Sequence, residues 1–201
     1  MTTEQKLIIK APKFDGVIFE LVGTSPLVQN RFWKKTQLQE LYGTASRASG
    51  KNKKARDYDY EFDQSMHYST DGWIGVPASA FRNAFISACR IVNFKMTLAK
   101  LSIFVDGDGF DRDDGIPLVK LNGKPEKIIH STRIQKSTGI ASRAMFRDWS
   151  IELKVRYDAD IYSSQDIGNL LQRVGCQVGI GEGRPDSKSG SGMGWGLFEI
   201  K

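Results

Sequence analysis

The sequence predicts an α+β fold, because two segments with helical periodicity stand among several segments with strand alternation. The first helical segment is VPASAFRNAFISACRIV (76–92), in which Ser79 is a candidate N-cap and Pro77 ends any earlier helical turn. Its apolar residues recur at the i, i+3, i+4, i+7 and i+8 positions of one helical face: Phe81, Ala84, Phe85, Ala88 and Cys89. The second is SSQDIGNLLQRVG (163–175), with Ser163 or Ser164 at its start and Gly175 at its end.

Strand alternation marks the other structured segments. These are DGVIFELV (15–22), WIGV (73–76), KLSIFV (100–105), IPLVKL (116–121), DWSIELKVRYDA (148–159) and GLFEI (196–200). The NGK sequence at 122–124 is typical of a hairpin turn. Without the inserted loops, the order is strand, helix, strand, strand, helix, strand. This is the βαββαβ ferredoxin-like unit, an antiparallel four-stranded sheet with two helices on one face.

Length and composition predict a single globular domain over residues 1–201, with 40% apolar and 26% charged residues. No run approaches the roughly 20 apolar residues that cross a bilayer. The N-terminal MTTEQKLIIK also lacks a signal peptide's apolar core, so we expect a cytoplasmic protein with no membrane partner. Cys89 and Cys176 stand apart without metal-ligand spacing. We expect buried free thiols, no metal and no cofactor.

The net charge of +6 is concentrated in one segment. Its basic residues are Arg31, Lys34, Lys35, Arg47, Lys51, Lys53, Lys54 and Arg56, and Glu40 is the acidic residue among them. Residues 43–57, GTASRASGKNKKARD, have almost nothing to bury and are interpreted as a flexible basic insertion. This concentration favours contact with a polyanion, with a solvated basic loop as the alternative.

A second basic segment covers residues 122–147 and is interpreted as a loop or an extended hairpin. Its polar residues of positive character are Lys124, Lys127, His130, Arg133, Lys136, Arg143 and Arg147, against Glu126. Phe146 and Trp149 close the segment. Cations that pair with phosphates beside rings that stack on bases are what single-stranded nucleic-acid binding requires.

The third segment is the glycine-rich loop 179–196, which directly precedes the last strand. Because glycine costs folding entropy, such a loop is either disordered or lets something approach its backbone closely. We favour close approach, in which backbone N–H groups hydrogen-bond phosphates with no side chain in the way. Arg184 and Lys188 add positive charge within the loop.

Two other features suggest chemistry. The acidic turn DGDGFDRDDG (106–115) lacks the bidentate Glu of a calcium loop, so we expect a solvated turn. His67 and His130 are the only histidines. Each is a candidate general acid or base for RNA cleavage by 2′-hydroxyl attack, with a polar surface residue as the alternative.

Three stretches carry a resemblance to a known family: GTSPLVQN (23–30), DGWIGVPASAFRNAF (71–85) and GIGEGRPDSKSGSGMGWGLFEI (179–200). In type, order and position they resemble the RAMP superfamily of CRISPR-associated proteins, particularly the backbone subunit that polymerises along the guide RNA. The same pattern is similar to uncharacterised proteins of tailed phages. The resemblance implies an RRM-type palm with a finger-like web and a thumb, residues 122–147 being thumb-like.

The resemblance also implies site residues. Ser79 and Arg82 would lie at a helix N-terminus that favours a phosphate. In type III relatives an Asp in the loop after the first strand cuts target RNA. Asp57, Asp59 and Asp63 occupy that loop here in no recognisable motif, so we expect no cleavage by them.

The expected function is a non-catalytic subunit that binds single-stranded RNA, or single-stranded DNA, and oligomerises along the strand. Its partners would be copies of itself or other effector subunits, in the cytoplasm of a bacterial, archaeal or phage-infected cell. The alternatives are a phage protein of single-stranded DNA binding, recombination or anti-CRISPR function, and a metal-independent RAMP endoribonuclease that uses His67 or His130. A phage structural protein with solvated basic loops is a further alternative.

Overall fold

The computed structural model describes residues 10–31, 57–134, 137–187 and 192–201, and for 132–134 and 137–138 it describes the backbone alone. The helices are α1 (Tyr58–Gln64), α2 (Ala78–Ala88), α3 (Met96–Ser102) and α4 (Ser164–Arg173), which a π-helical turn (Val174–Val178) continues. The strands are β1 (Phe14–Gly23), β2 (Leu27–Gln29), β3 (His67–Tyr68), β4 (Ile74–Pro77), β5 (Ile103–Asp106), β6 (Gly109–Phe110), β7 (Pro117–Lys120), β8 (Asn122–Ile134), β9 (Ser137–Asp158) and β10 (Phe198–Ile200). Helices mixed with antiparallel sheets confirm the α+β class.

The long strand β9 organises the larger sheet. Its C-terminal half pairs antiparallel with β1 on one side and with β5 on the other. Because β10 pairs with the outer edge of β1, the order here is β10-β1-β9-β5. The N-terminal half of β9 pairs with β8 in a long hairpin and also with β2. The extended-hairpin interpretation of residues 122–147 is therefore confirmed, and the loop interpretation is wrong.

Alternation along β1 and β9 gives the larger sheet one buried face. There Leu21 and Leu153 pack in one hydrophobic cluster with Phe81 of α2 and Leu171 of α4. Full burial of each such side chain contributes about 1.5–3 kcal/mol. The predicted periodic face of α2 is confirmed, since all its residues are buried: Phe81, Ala84, Phe85, Ala88 and Cys89. The even-numbered residues of β1 and of the C-terminal half of β9 lie on the opposite face.

A smaller sheet is formed by β3, β4, β7 and β6, in that order. The ring of Trp73 packs over Gly75 and Gly109, where an added Cβ would lie 2.8 Å from it in both cases. Strand β6 lies in the acidic turn 106–115, and Asp111 forms an isolated bridge with Ser69. The acidic turn is therefore held against the smaller sheet.

The predicted ends of the two longer helices need correction in part. Helix α2 begins at Ala78 directly after Pro77, and Ser79 is exposed and makes no capping hydrogen bond, so the Ser79 N-cap is wrong. Ser163 does cap α4, in a capping box with Asp166. Gly175 does not end that helix, because the π-helical turn continues to Val178. An added Cβ on Gly175 would lie 2.2 Å from the Phe198 carbonyl oxygen, so its smallness serves packing against β10.

Two strand boundaries also differ from the prediction. Residues up to Ser102 belong to α3, where the Ser102 hydroxyl donates to the Leu98 carbonyl (2.8 Å), and the strand begins at Ile103. The NGK sequence is not a hairpin turn, because β7 pairs with β4 whereas β8 pairs with β9. It opens β8, with a register shift between Gly123 and Pro125.

Both cysteines are free thiols, as predicted, but their burial differs. Cys89 lies buried on α2, whereas Cys176 is exposed on the π-helical turn. The expectation of burial is therefore wrong for Cys176. Its neighbours Val174 and Val178 take the buried positions of that turn.

Candidate nucleic-acid interface

Helix α1 lies against one face of the β8–β9 hairpin. The ammonium group of Lys127 on β8 pairs with the carboxylate of Asp59. The Ala144 amide on β9 donates to the Ser65 hydroxyl (2.9 Å) at the end of α1. Asp57 caps the helix by accepting from the amides of Asp59 and Tyr60, both at 3.0 Å. The chain that leaves the basic insertion is thus fixed beside the hairpin.

Arg31, the first residue of the basic segment 31–56, lies inside the protein. Its guanidinium is 2% exposed and pairs with Asp111 (2.6 Å), Asp113 (2.7 Å) and Asp114 (3.2 Å) of the acidic turn. Its amide donates to the Ser65 carbonyl (3.1 Å), beside α1. The acidic turn is therefore not simply solvated, since Asp111 is buried. Arg31 anchors the chain and is not placed to contact a phosphate.

Asp111 also orients His67, with 2.8 Å between His67 Nδ1 and the Asp111 carboxylate. Burial opposes ionisation of Asp111, but the hydrogen bonds from the Asp113 amide and His67, with the charge of Arg31, hold its pKa below the usual value. Burial lowers the pKa of His67, and the bond to Asp111 offsets this only in part. His67 is therefore neutral at pH 7. Its Nδ1–H donates to Asp111, and its Nε2 has no partner among the described residues.

A metal ion does not fit this cluster as it stands. Ligand atoms of His67, Asp111 and Asp114 lie within 4.8 Å of one another, close enough to share an ion. The guanidinium of Arg31, however, already bonds Asp111 and Asp114. The guanidinium already supplies the positive charge that these carboxylates need. A divalent ion would have to displace it.

The glycine-rich loop lies against the other face of the hairpin. Arg143 on β9 donates to the Glu182 carboxylate (2.8 Å) and to the Ser142 carbonyl (2.9 Å). The His130 ring on β8 meets Trp195 edge-on, with 5.6 Å between centroids. His130 Nε2 is sealed from solvent and stands 3.9 Å from Glu182. The loop and the hairpin are thus joined by an ion pair and a ring contact.

Close approach in the glycine-rich loop is made by the chain itself. An added Cβ would lie 2.6 Å from the Val28 carbonyl oxygen at Gly181 and 1.8 Å from the Ile180 carbonyl oxygen at Gly196. The amides of Glu182 and Gly196 donate to Val28 (2.9 Å) and Pro26 (2.8 Å). These contacts join the loop to Pro26 and Val28 and explain Gly181 and Gly196 without any ligand.

Some backbone donors of this loop remain available. In the described part of the loop, the amides of Gly181, Gly183 and Arg184 donate to no protein group. Gly181 and Gly183 adopt positive φ angles of 78° and 73°. Consecutive amides around left-handed residues are an arrangement that binds anions.

The other predicted binding residues are spread over the fold. Ser79 is exposed, while Arg82 donates to the carbonyls of Ile103 (3.1 Å) and Lys100 and stacks over a phenylalanine ring. Phe146 is fully buried, so it is not placed to stack on a base. Arg184 is half-buried and donates to the Gly181 carbonyl (3.1 Å). Outside the described residues or side chains lie Lys34, Lys35, Lys51, Lys53, Lys54, Arg133, Lys136 and Lys188.

The exposed cations of the hairpin are different residues. Lys124 is exposed, Lys127 is 39% exposed, and Arg147 is 59% exposed beside Glu126. Exposed ion pairs of this kind contribute about 0–1 kcal/mol. Their cations are therefore available to a stronger anionic partner.

Sequence reasoning missed the carboxylates that neutralise the buried arginines. Asp111 and Glu182 stand 80 and 39 positions from Arg31 and Arg143. The acidic turn 106–115 was a visible signal, because so many carboxylates need a cation, but nothing local pointed to Arg31. Glu182 carried no signal beyond its place among glycines.

No protein-family model matches this sequence, and the comparison with curated proteins gives no match. Within the described ranges, no helix has both the length and the apolar character that a membrane crossing requires.

Proposed function

We propose that this chain binds single-stranded nucleic acid along the β8–β9 hairpin. One observation carries the proposal: the hairpin is itself one of the three segments that the sequence singles out, and described residues at the borders of the basic segment and in the glycine-rich loop lie beside it. Arg31 and Asp57, which flank residues 32–56, are held near it: Arg31 bonds Ser65 beside the hairpin, and Asp57 caps α1. The glycine-rich loop meets its opposite face through Arg143 and Glu182.

The chemistry of binding follows from what is exposed there. Lys124, Lys127 and Arg147 would pair with phosphates, and the free amides near Gly183 would hydrogen-bond a phosphate oxygen. The sequence between Arg31 and Asp57 carries the excess positive charge of the chain. No described feature reads base edges, so binding would be tolerant of sequence and sensitive to salt.

The fold is consistent with this proposal but does not by itself establish it. The order β10-β1-β9-β5, with α2 and α4 in the cluster on one face, supports a ferredoxin-like βαββαβ unit, which we propose as the core of the chain. That unit hosts RNA-binding modules as well as many other functions, so the function must be argued from the site. In this proposal the chain is a RAMP-like, non-catalytic subunit on a guide-like RNA. It would associate with copies of itself or other effector subunits in the cytoplasm, with phage single-stranded DNA binding as the variant.

The test is binding of labelled single-stranded RNA and DNA over a range of salt concentrations. Lys124→Glu/Lys127→Glu should weaken binding at least tenfold, because two contacts become repulsive, and should flatten the salt dependence by about two units of slope. Lys201→Glu, which reverses a 73% exposed lysine far along the chain, is the matched control and should change neither.

Purification without nuclease gives the first answer on the polymer. If the protein purifies as a large nucleoprotein, loss of its mass after RNase or after DNase treatment would identify the bound strand as RNA or as DNA. A clean particle that binds no single strand at low salt would refute the proposal. Equal binding by Lys124→Glu/Lys127→Glu and by the wild type would show that the binding site is not on the β8–β9 hairpin.

A second candidate function is metal-independent RNA cleavage, and the geometry of His67 favours it over His130. A carboxylate that fixes the proton on Nδ1 leaves Nε2 as the basic nitrogen, which is the orientation of a general base. His130 offers no such atom, because its Nε2 is sealed. If the chain cuts RNA, His67→Ala should abolish cutting and retain strand binding, whereas His130→Ala should leave cutting intact. The reverse result would reject the assignment to His67.

A further inference from the structure

Strand β1 has one side that β10 covers only in part. Strand β10 pairs with Leu21–Gly23, and the Lys201 amide donates to the Glu20 carbonyl (2.9 Å), where this pairing ends. Residues 14–19 of β1 therefore lie outside the pairing with β10. We call the side of residues 14–19 that faces away from β9 the outer edge.

The outer edge presents backbone groups that can pair with another strand. In an antiparallel strand, the N–H and C=O of one residue point to one side and those of the next residue point to the other. The Lys13 carbonyl accepts from the Ala159 amide (2.7 Å) just after β9, whereas the Glu20 carbonyl faces β10. The backbone groups that point to the outer edge therefore belong to even-numbered residues: Phe14, Gly16 and Ile18.

Most of these backbone groups have no partner among the residues that the structure describes. The exception is the Gly16 amide, which donates to the Asp15 carboxylate (2.8 Å). Gly16 is exposed, Phe14 is 40% exposed and Ile18 is 60% exposed, so the edge is open to solvent. An extended segment with free N–H and C=O groups can therefore continue the ladder that β10 begins.

Two other edge strands of the larger sheet carry protection that β1 lacks. On β5, the Ile103 amide donates to the Ala99 carbonyl, and the Ile103 carbonyl accepts from Arg82 (3.1 Å). Strand β8 contains Pro125 and a register shift beside it, and both features discourage pairing with a further strand. The sequence of the outer edge, FDGVIF, has neither proline nor lysine, and its pairing with β9 has no register shift. The outer edge of β1 is therefore suited to strand addition.

Gly16 leaves a notch in the outer edge. It lies on the sheet face opposite the helices, between Phe14 and Ile18 along the strand. The nearest group to an added Cβ would be the Val155 carbonyl oxygen, at 3.9 Å. Glycine inside a strand weakens the strand and often marks a place where a ligand approaches closely. The notch therefore has room for one side chain from an added strand.

We propose that the outer edge binds an extended segment of a partner protein, which pairs antiparallel with residues 14–19 as a continuation of β10. The residue of that segment opposite Gly16 is a large aliphatic one, and its side chain fills the notch between Phe14 and Ile18. The next residue of the segment lies opposite Asp15 on the other face, and it is a Lys or Arg that pairs with the Asp15 carboxylate. Main-chain hydrogen bonds supply affinity in this mode of recognition, and the alternate side chains supply specificity.

A second copy of β1 fits the outer edge less well. Because Lys201 occupies the position opposite Glu20, Phe19 is the last residue of the edge whose outer side is open. The longest two-fold pairing of β1 with itself is then centred on Gly16. That pairing leaves both notches empty and puts the two Asp15 carboxylates on neighbouring cross-strand positions, where like charges repel.

The first experiment follows the amide NMR signals of the full chain during titration with blocked peptides to about 1 mM. In the proposed register, the leucine of the peptide TVTLKV lies opposite Gly16 and its lysine lies opposite Asp15. This peptide should shift the Phe14 and Ile18 amide signals. It should bind about tenfold more tightly than TVTGKV, because only leucine fills the notch. TVTPKV, which lacks the central N–H, should bind more weakly than TVTGKV.

The second experiment fills the notch from the protein side. Gly16→Val puts a β-branched residue at a strand position with room for its Cβ, so the variant should be at least as stable as the wild type. Because the notch is then occupied, the variant should bind TVTLKV no more tightly than TVTGKV. An unfolding curve beside the titration shows that the variant is folded.

The third experiment tests the charge of Asp15. Asp15→Lys should reverse the preference of the wild type, so that TVTLEV binds more tightly than TVTLKV. Asp160→Lys makes the same change at an exposed aspartate outside β1, and it is the matched control. This control variant should keep the preference for TVTLKV.

Three outcomes would overturn the inference. One is that no peptide shifts the Phe14 and Ile18 amide signals at about 1 mM. Another is equal binding of TVTLKV and TVTGKV by the wild type, which would mean that the notch selects nothing. The third is a wild-type dimer in which the same two amides lie in the interface, which would assign the edge to a second copy. Peptide binding by a chain that binds no single strand would refute the proposed function and leave this inference standing.

Discussion

The cluster around Arg31 and the surface of the β8–β9 hairpin both pair cations with carboxylates, and they differ in burial. Arg31 is 2% exposed and bonded to three aspartates, whereas Arg147 is 59% exposed and paired with Glu126. A buried cation cannot leave without stranding charge in a poorly solvated site, while an exposed one exchanges partners at small cost. Burial therefore separates the arginine that holds the fold from the cations available to a ligand.

Removing the buried cation is the largest change that the comparison predicts. Arg31→Met should lower the free energy of unfolding by about 3–5 kcal/mol, because it leaves the buried carboxylate of Asp111 without its cation. Arg147→Met, the exposed counterpart, should change it by less than about 0.5 kcal/mol. Urea denaturation measures both. Equal effects would show that burial does not divide the two sites.

The same contrast exists within the glycine-rich loop. Gly194 and Gly196 share a φ of 72°, but an added Cβ meets nothing within 4 Å at Gly194 and lies 1.8 Å from a carbonyl oxygen at Gly196. Gly194→Ala should cost about 1 kcal/mol from the left-handed backbone alone. Gly196→Ala adds a clash with backbone, so it should cost about 3 kcal/mol or more. Similar unfolding free energies for the two variants would contradict the packed arrangement of this loop.

The buried cluster should also respond to acid in two steps. Because the pKa of His67 is lowered from 6.5 in the folded state, the unfolded chain takes up its proton first, and stability falls as the pH drops below about 6.5. The pKa of Asp111 is lowered from 3.8, so its contribution is present above that pH and is lost as the pH falls further.

His67→Asn should remove the first step and leave the second. Thermal or urea unfolding between pH 7 and pH 3 measures both. His130→Asn is the control for the first step. If His130→Asn flattens the upper part of the profile and His67→Asn does not, the assignment of that step to the buried cluster is wrong.

The smallest expected effect is a gain in binding at the exposed surface. Asp59→Asn removes the carboxylate, 84% exposed, that pairs with Lys127. Strand binding should tighten by up to about fivefold, since such a pair is worth at most about 1 kcal/mol. Glu182→Gln, which removes the partner of the buried Arg143, should lower stability without tightening binding. A binding titration beside an unfolding curve distinguishes the two, and weaker binding by Asp59→Asn would contradict a role for Lys127.

Much of the fold could be predicted because its signals are local. The period of α2, the Ser163 cap of α4 and the alternation of β9 each depend on residues a few positions apart. The errors arose where a distant partner overrides local preference. Gly175 suits a helix end, yet its position against β10 lets the chain continue as a π-helical turn.

The candidate site was predictable only as a set of segments. Charge and glycine content identified the basic segment, residues 122–147 and the loop before β10 without any structure. The roles of individual residues in these segments could not be predicted from the sequence. The role of a cation depends on whether a carboxylate lies beside it and whether water reaches it. Phe146 illustrates the same limit: an aromatic residue among cations suggests base stacking, and the fold buries it completely.

By itself, then, the sequence determined the α+β class, the main helices and strands, and the segments in which charge and glycine are concentrated. These follow from periodicity and composition, which are properties of neighbouring residues. Only the tertiary structure decided that Arg31 and Arg143 are internal, that Gly181 and Gly196 accommodate the chain's own backbone, and that α1 and the glycine-rich loop lie beside the β8–β9 hairpin. Those facts depend on contacts between residues far apart in the chain, and such contacts form only when the whole chain has folded.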